Sequence, residues 1–154
     1  MKNFYRFFAL VFFAGFLNVQ ASAETRATAD EAIAMVKAVQ ASLKANGKEK
    51  TFADIADLNN KTFHDRELYV IVFDMKGMNV AHGNNPKIVG KDLSEMRDPD
   101  GTYITKNFLK IANSKEGKGW FDYKWVNPVN KLVEPKSGYI QKDGDLMIVV
   151  GIYK

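Results

Sequence analysis

The apolar positions follow a helical spacing in the first third of the chain and strand-like runs in the rest. Apolar residues recur every three or four positions at Ile33, Val36, Val39 and Leu43, as they do on one face of an α-helix. Thr28, with Glu31 three residues later, fits a capping box at the start of this helix, and Gly47 fits its end. The pattern predicts a helix of about 17 residues and a second short helix at Phe52 to Asn59.

From Leu68 onwards the pattern is that of β-strands. Leu68 to Phe73 is aliphatic or aromatic throughout, which is typical of a strand that is covered on both faces. A turn at Asp74 to Gly77 leads into the alternating segment Met78 to His82, so these two segments are expected to pair as a hairpin. The connection from Lys87 to Gly101 is too polar for a core element, and Thr102 to Ser114 returns to a helical period.

Three further strands are expected in the last third of the chain. Trp120 to Val126 alternates, which places three aromatic residues on one face: Phe121, Tyr123 and Trp125. Ser137 to Lys142 and Leu146 to Tyr153 follow, joined by a hairpin turn at Asp143-Gly144. The order of elements predicts an α+β domain, in which one antiparallel sheet of about five strands is covered by a long N-terminal helix and by short helices and loops.

The first 23 residues have the pattern of a secretory signal peptide. Lys2 and Arg6 precede the apolar run from Phe7 to Leu17, and small residues up to Ala23 fit a cleavage site. This run of about 11 residues is shorter than the roughly 20 that a membrane-spanning helix needs, and no later segment is apolar enough to span. We expect cleavage after Ala23, a periplasmic location and a single domain at residues 24–154. The alternative is an uncleaved membrane anchor.

Composition and charge exclude several functional classes. The chain has no cysteine and only two histidines, His64 and His82, which excludes disulfide frameworks, thiolate metal sites and His-rich metal cages. The formal net charge of +4 partly reflects the signal segment, and no later cluster of basic residues indicates a nucleic-acid partner.

Catalysis finds little support among the residues. Asp122 and Glu134 could mimic the carboxylate pair of a glycosidase, but the sequence does not fix their separation. Asp98 and Asp100 lack the spaced ligands and the terminal glutamate of a calcium loop. The glycines form no phosphate-binding motif. We therefore expect no enzyme activity, no cofactor and no metal.

A series of short segments resembles single Cache domains of the second type (sCache_2). In order along the chain they are Tyr69 to Gly77, Ala81 to Pro86, Gly90 to Asp92, Arg97 to Gly101, Gly117 to Trp125 with Asn127-Pro128, Lys136 to Tyr139, and Val150 to Tyr153. The resemblance implies an extracytoplasmic sensor domain with a PAS-like antiparallel sheet and a long N-terminal helix. It also implies a small-molecule ligand, often a short carboxylate such as acetate, propionate, lactate or pyruvate. One departure is Gly83, since proline usually follows the family's histidine.

The family usually carries flanking transmembrane helices and an intracellular output domain, and this sequence shows neither. We therefore expect a periplasmic module that binds a small organic acid or a similar small molecule, either as a free binding module or as the partner of a separate membrane receptor or kinase. The amphipathic N-terminal helix could support a homodimer, although packing on the sheet explains its apolar stripe equally well. The alternative function is a structural or protein-interaction module whose pocket is filled by its own side chains.

Candidate ligand-binding residues follow from the resemblance and from the chemistry of a carboxylate. A small anion in a closed pocket requires cationic or hydrogen-bond donors, because an unpaired buried charge is costly, and aromatic walls exclude water. The candidates are His82, Arg97, Tyr123, Trp125, Lys136 and Tyr139. Each also has an ordinary structural interpretation, such as a solvated loop charge or a core aromatic. The separation between Lys136 and Tyr139 is odd, so a regular strand would place them on opposite faces.

Overall fold

The computed structural model describes residues 26–154, and the expected signal segment lies outside the described residues. The first element is helix α1, Ala29–Ala56, which begins with the predicted capping box of Thr28 and Glu31. Gly47 interrupts α1 with a φ of 77°, in the left-handed region that favours glycine. The predicted helix end at Gly47 is therefore a kink, and the predicted second helix is the continuation of α1.

One antiparallel sheet forms the centre of the fold. Its strands are β1 His64–Asp65, β2 Leu68–Asp74, β3 Asn79–His82, β4 Lys118–Val126, β5 Val133–Asp143 and β6 Leu146–Tyr153. The order across the sheet is β1-β2-β6-β5-β4, and β3 also pairs with β2. A 3-10 turn at Pro86–Ile88 and helix α2, Ile104–Ala112, lie between β3 and β4. The α+β class and both predicted hairpins are confirmed, whereas the pattern does not predict the two-residue strand β1.

The two faces of the sheet bury two separate cores. Helix α1 packs on a face that is mainly aliphatic, with Val36, Val39, Val70, Val72, Ile148 and Val150 among its buried residues. Helix α2 packs on the opposite face, where the buried residues include the rings of Tyr69, Phe73, Phe108 and Tyr123. Because successive side chains of a strand point to opposite faces, β2 contributes to both cores. This explains why Leu68 to Phe73 is apolar throughout.

Both ends of the described chain lie beside the connection between β4 and β5. The Arg26 guanidinium donates hydrogen bonds of 3.0 and 3.1 Å to the Glu134 carboxylate, and the Ala27 backbone N–H donates to Glu67 at 2.8 Å. At the other end, the Lys154 backbone N–H donates to the Pro135 carbonyl at 3.0 Å. The start of α1 is therefore fixed to the end of the sheet at which β5 begins.

Candidate ligand-binding site

A small, largely enclosed cavity lies between α2 and the sheet. Its volume is about 20 Å³, which is room for about one water molecule. The lining is mostly apolar and comes from β2, β3, the β3–α2 connection, α2 and β4: Ile71, Phe73, His82, Ile88, Leu93, Met96, Ile104, Phe108, Tyr123 and Trp125. Apolar walls with a few placed polar groups are typical of small-molecule sites.

His82 brings a neutral hydrogen-bond donor to this cavity. The residue is 5% exposed, and its Nδ1 accepts hydrogen bonds from the backbone N–H groups of Asn84 and Asn85, at 3.1 and 2.9 Å. Burial, and to a lesser degree the charge of Lys136, lowers the pKa of His82 to about 4. The ring is therefore neutral near pH 7, and since Nδ1 accepts, the proton is on Nε2.

Lys136 is a buried lysine on β5, with 1% of its surface exposed. Its Nζ donates to the hydroxyls of Tyr69 and Tyr153, at 2.9 and 3.2 Å, and lies 4.1 and 4.5 Å from the centroids of the same two rings. Burial lowers the pKa of Lys136, while Tyr69 and Glu67 act in the opposite direction. In residues 26–154, no carboxylate forms an ion pair with this ammonium.

Two glycines make room on the sheet for this part of the site. A Cβ at Gly151 would lie 2.3 Å from Cε of Lys136, well inside contact distance. Gly151 pairs with Gly138 across β5 and β6, and a Cβ at Gly138 would lie 3.3 Å from the Tyr123 ring. The absence of both side chains therefore lets Lys136 lie flat over the sheet and lets Tyr123 pack closely against it.

Tyr69 connects Lys136 to the cavity lining. Its hydroxyl accepts the hydrogen bond from Lys136, and its ring stacks on His82 with 5.3 Å between the centroids. Lys136 does not line the cavity itself, so its charge acts on the cavity across Tyr69 and His82. Sequence reasoning missed Tyr69, although its position two residues before Ile71 places it on the cavity side of β2.

Tyr123 and Trp125 line the cavity from β4, on the shared face that the alternation predicts. Tyr123 is buried, and its ring meets the edge of Phe108 at a centroid distance of 5.4 Å. Trp125 also lines an open cleft of about 380 Å³, as do His82 and Ile88. These three side chains therefore stand between the small cavity and solvent.

The structure does not bring Arg97 and Tyr139 to the cavity. The exposed Arg97 guanidinium lies 3.6 Å from the centroid of the Tyr103 ring and also donates to the Tyr103 hydroxyl. Tyr139 belongs to the core on the α1 side of the sheet, where its ring lies 5.2 Å from that of Trp120. Tyr139 and Lys136 thus lie on opposite faces, as their odd separation predicts.

The acidic residues considered for metal binding or catalysis have other partners. Asp98 accepts hydrogen bonds from the backbone N–H groups of Asp100, Thr102 and Lys124. Asp122 accepts from the Ser137 hydroxyl and from Lys154, and Glu134 is paired with Arg26. Among residues 26–154, no cluster of three or more His, Asp or Glu side chains could hold a metal ion.

In the same part of the chain, no helix is long and apolar enough to cross a membrane.

A family model described as Single Cache domain 2 matches residues 17–154. The chain belongs to this family. The Cache domain is similar to the methyl-accepting chemotaxis protein McpP of Pseudomonas putida, with 30% identity over 92 residues. It is also similar to the methyl-accepting chemotaxis protein CtpM of Pseudomonas aeruginosa, with 26% identity over 96 residues. The matches cover 58% and 62% of this chain but only 17% of each relative.

Solved structures show the same fold. A methyl-accepting chemotaxis protein from Vibrio parahaemolyticus has a TM-score of 0.69 at 20% identity, covering 80% of this chain and 86% of that one. A periplasmic sensor domain of a chemotaxis protein has a TM-score of 0.63 at 23% identity, covering 80% and 88%. A Cache chemosensory domain from work on carboxylic acid recognition has a TM-score of 0.61 at 22% identity, covering 77% and 83%. The resemblance inferred from the sequence is therefore confirmed, as is the fold that it implies.

Proposed function

We propose that this Cache domain is an extracytoplasmic sensing module that binds a short carboxylate on the α2 face of the sheet. The observation that carries the proposal is the Lys136 ammonium, which is buried against tyrosine hydroxyls and rings and forms no ion pair with a carboxylate of residues 26–154. Burial destabilises such a charge, and an anionic ligand would supply its counter-charge. The Nε2–H of His82 would donate to the same anion.

The relatives support a sensory role. McpP and CtpM are methyl-accepting chemotaxis proteins; of the structural neighbours, one is a periplasmic sensor domain and another comes from work on carboxylic acid recognition. We extend this role to the present chain as a proposal, with a periplasmic location and a separate membrane receptor or kinase as its signalling partner. Pairing of two copies through α1 belongs to the same proposal.

The small size of the cavity constrains how a ligand binds. A space of about 20 Å³ holds one water molecule rather than an acid of two to four carbon atoms. Binding therefore requires Trp125 or Ile88 to move, since both lie between the cavity and the open cleft. Tyr123 would form the inner wall. Arg97 and Tyr139 would reach the ligand only if the loop that carries Arg97, or strand β5, rearranged.

The same small cavity favours a second candidate function. A protein-interaction module whose pocket is filled by its own side chains would show little internal space, as this structure does. Catalysis is the weaker alternative, because Asp122 and Glu134 are engaged with Lys154 and Arg26 at the surface rather than placed in the cavity. The sensing module and the protein-interaction module differ in whether small acids stabilise the fold.

Thermal unfolding with a panel of small molecules tests the proposal. One or more of acetate, propionate, lactate and pyruvate should stabilise the domain by about 2.7 kcal/mol at 100 times its dissociation constant. Lys136→Met should weaken that ligand at least 100-fold. The variant should still fold, since a well-packed apolar replacement of a buried charge is often neutral or stabilising.

A matched control comes from the same strand. Lys142 is exposed on β5, so Lys142→Met removes one positive charge without touching the cavity and should bind like the wild type. If no acid stabilised the wild type, the carboxylate ligand would be wrong and the self-filled pocket would be supported. Stabilisation by amino acids or purines alone would keep sensing but change the ligand class.

A further inference from the structure

Exposed apolar side chains cluster at one end of the domain. Seven large apolar side chains are exposed in residues 26–154, and five of them lie here: Leu58, Val126, Val129, Leu132 and Val133. Val126 and Val133 pair across β4 and β5, and Leu58 and Val129 line a common cleft. We call these five residues the apolar end patch. Exposed apolar surface with a polar rim marks contact with a partner or a membrane.

The loop that carries the patch is held rigidly by its own polar groups. The Asn127 backbone N–H donates to the Leu132 carbonyl at 2.8 Å, and the Asn127 side-chain oxygen accepts from the Val129 N–H at 2.9 Å. The side-chain amides of Asn127 and Asn130 both donate to Glu134. Since the loop satisfies its hydrogen bonds internally, it holds Val129 and Leu132 in solvent, where they are 55% and 61% exposed.

Two lysines beside the patch have no ion-pair partner within residues 26–154. Four charged residues line the two clefts beside it: Lys61, Asp65, Arg66 and Lys131. Asp65 is paired with Arg66 at 2.6 Å, whereas Lys61 and Lys131 form no ion pair within residues 26–154. Aliphatic side chains beside two lysines that lack an ion-pair partner suit a bilayer with anionic headgroups. A protein interface would be richer in aromatic residues than this patch of leucine and valine.

The chain that precedes the domain reaches it at the same end. Arg26 is bound to Glu134, which follows directly after the patch residue Val133. Eight residues lie between the apolar run from Phe7 to Leu17 and Arg26, and an extended chain of that length reaches at most about 30 Å. The export expected for this run brings it to a membrane, so the patch lies within reach of the bilayer until the expected cleavage after Ala23 separates the run from the domain.

We propose that the apolar end patch docks the domain onto the surface of an anionic lipid bilayer, with Val129 and Leu132 entering the headgroup region. Lys61 and Lys131 contact the anionic headgroups beside them. The interaction combines buried apolar area with electrostatic attraction, and it therefore weakens as salt screens the charges.

The absence of cysteine from the chain allows a direct test. The exported protein with Val129→Cys carries one environment-sensitive fluorophore and is mixed with vesicles of phosphatidylglycerol and phosphatidylethanolamine. Emission should shift to shorter wavelength as the label enters the headgroup region. The shift should be much smaller with phosphatidylcholine alone or at about 1 M salt. Adding Leu132→Asp should raise the vesicle concentration required at least tenfold.

A label at Val89→Cys is the matched control, because Val89 is 42% exposed and lies outside the patch. The probe at 129 reports whether that residue enters the headgroup region. Vesicle binding through an uncleaved apolar run at the N-terminus would therefore not by itself give the same shift in emission. The proposal would be overturned if the emission of the probe at 129 did not shift with anionic vesicles, or if the probes at 89 and 129 shifted equally. A shift that needs no vesicles and grows with protein concentration would show that a second copy covers the patch, which would also overturn it.

Discussion

The two faces of the sheet differ in what they bury. The α1 face buries mainly aliphatic residues such as Val36, Val72 and Ile148. The α2 face buries aromatic rings, a neutral histidine and the ammonium of Lys136 around a small cavity. Buried aliphatic surface stabilises a domain, whereas a buried charge and a void both cost free energy. The comparison indicates that the α1 face secures the fold, which leaves the α2 face able to retain the polar groups that the proposed ligand would contact.

The largest expected effect tests the stabilising face. Ile148 is fully buried in the core on the α1 side, so Ile148→Ala should lower the free energy of unfolding by about 2–5 kcal/mol. Ligand affinity should change less than twofold, because the removed atoms face away from the cavity. Urea denaturation gives the first quantity and titration calorimetry the second.

Ile104→Ala makes the same chemical change on the other face. Ile104 is 1% exposed and lines the cavity, so this variant should lose stability and also enlarge the cavity. It should shift the preference of the domain towards acids that are one carbon longer by roughly fourfold, which is the effect of burying about one methylene group. If Ile148→Ala and Ile104→Ala had the same relative affinities for acids of different length, the two faces would not differ in the roles described above.

A smaller effect should appear as a pH dependence of stability. Burial lowers the pKa of His82 from 6.5 to about 4, so the unfolded chain takes up a proton here before the folded one does. The stabilising contribution is complete above pH 6.5 and is lost as the pH falls towards 4. Between pH 7.5 and 5.0 this amounts to about 2 kcal/mol.

Replacement of the histidine isolates that contribution. His82→Asn retains an acceptor for the two backbone N–H groups but cannot titrate, so urea unfolding at pH 7.5 and 5.0 should differ less for the variant than for the wild type. Carboxylates such as Glu134, whose pKa is lowered to about 2 by Arg26, titrate in the unfolded chain mostly below this window. Identical pH profiles for the two proteins would show that His82 is not buried in its neutral form.

The smallest effects are expected outside the cavity. Arg97→Ala and Tyr139→Phe should each change ligand affinity less than twofold by calorimetry, because Arg97 stacks on Tyr103 and Tyr139 faces α1. A tenfold loss in either variant would show that the ligand-bound domain rearranges to bring that residue to the ligand. Such a loss would support the ligand-binding role that the sequence predicts for that residue.

Local patterns predict the elements of the fold and part of the site. The capping box at Thr28 and the alternation in β4 depend on neighbours in sequence, so the start of α1 and the shared face of Tyr123 and Trp125 are predicted correctly. At Gly47 the sequence predicts the end of the helix, whereas the structure has a kink there. The sequence signal for a helix end does not reveal that the chain after Gly47 also forms a helix, which packing on the sheet stabilises.

The setting of Lys136 cannot be inferred from neighbours. Its partners Tyr69 and Tyr153 are 67 and 17 positions away, and only the pairing of β2, β6 and β5 brings them together. An isolated lysine beside a proline favours an exposed position. For Arg97 the sequence predicts a ligand contact, whereas in this structure its guanidinium lies against the ring of Tyr103, six residues away.

Gly151 has a consequence for reading other sequences of this family. The lysine stem occupies the volume that any larger residue at 151 would need, so the two positions are free to vary only as a pair. A homologue with alanine or valine at the equivalent of Gly151 must shorten or redirect its lysine, and its α2 face would then carry different chemistry. The residue at the position equivalent to Gly151 therefore indicates whether a homologue has room for the lysine in this conformation.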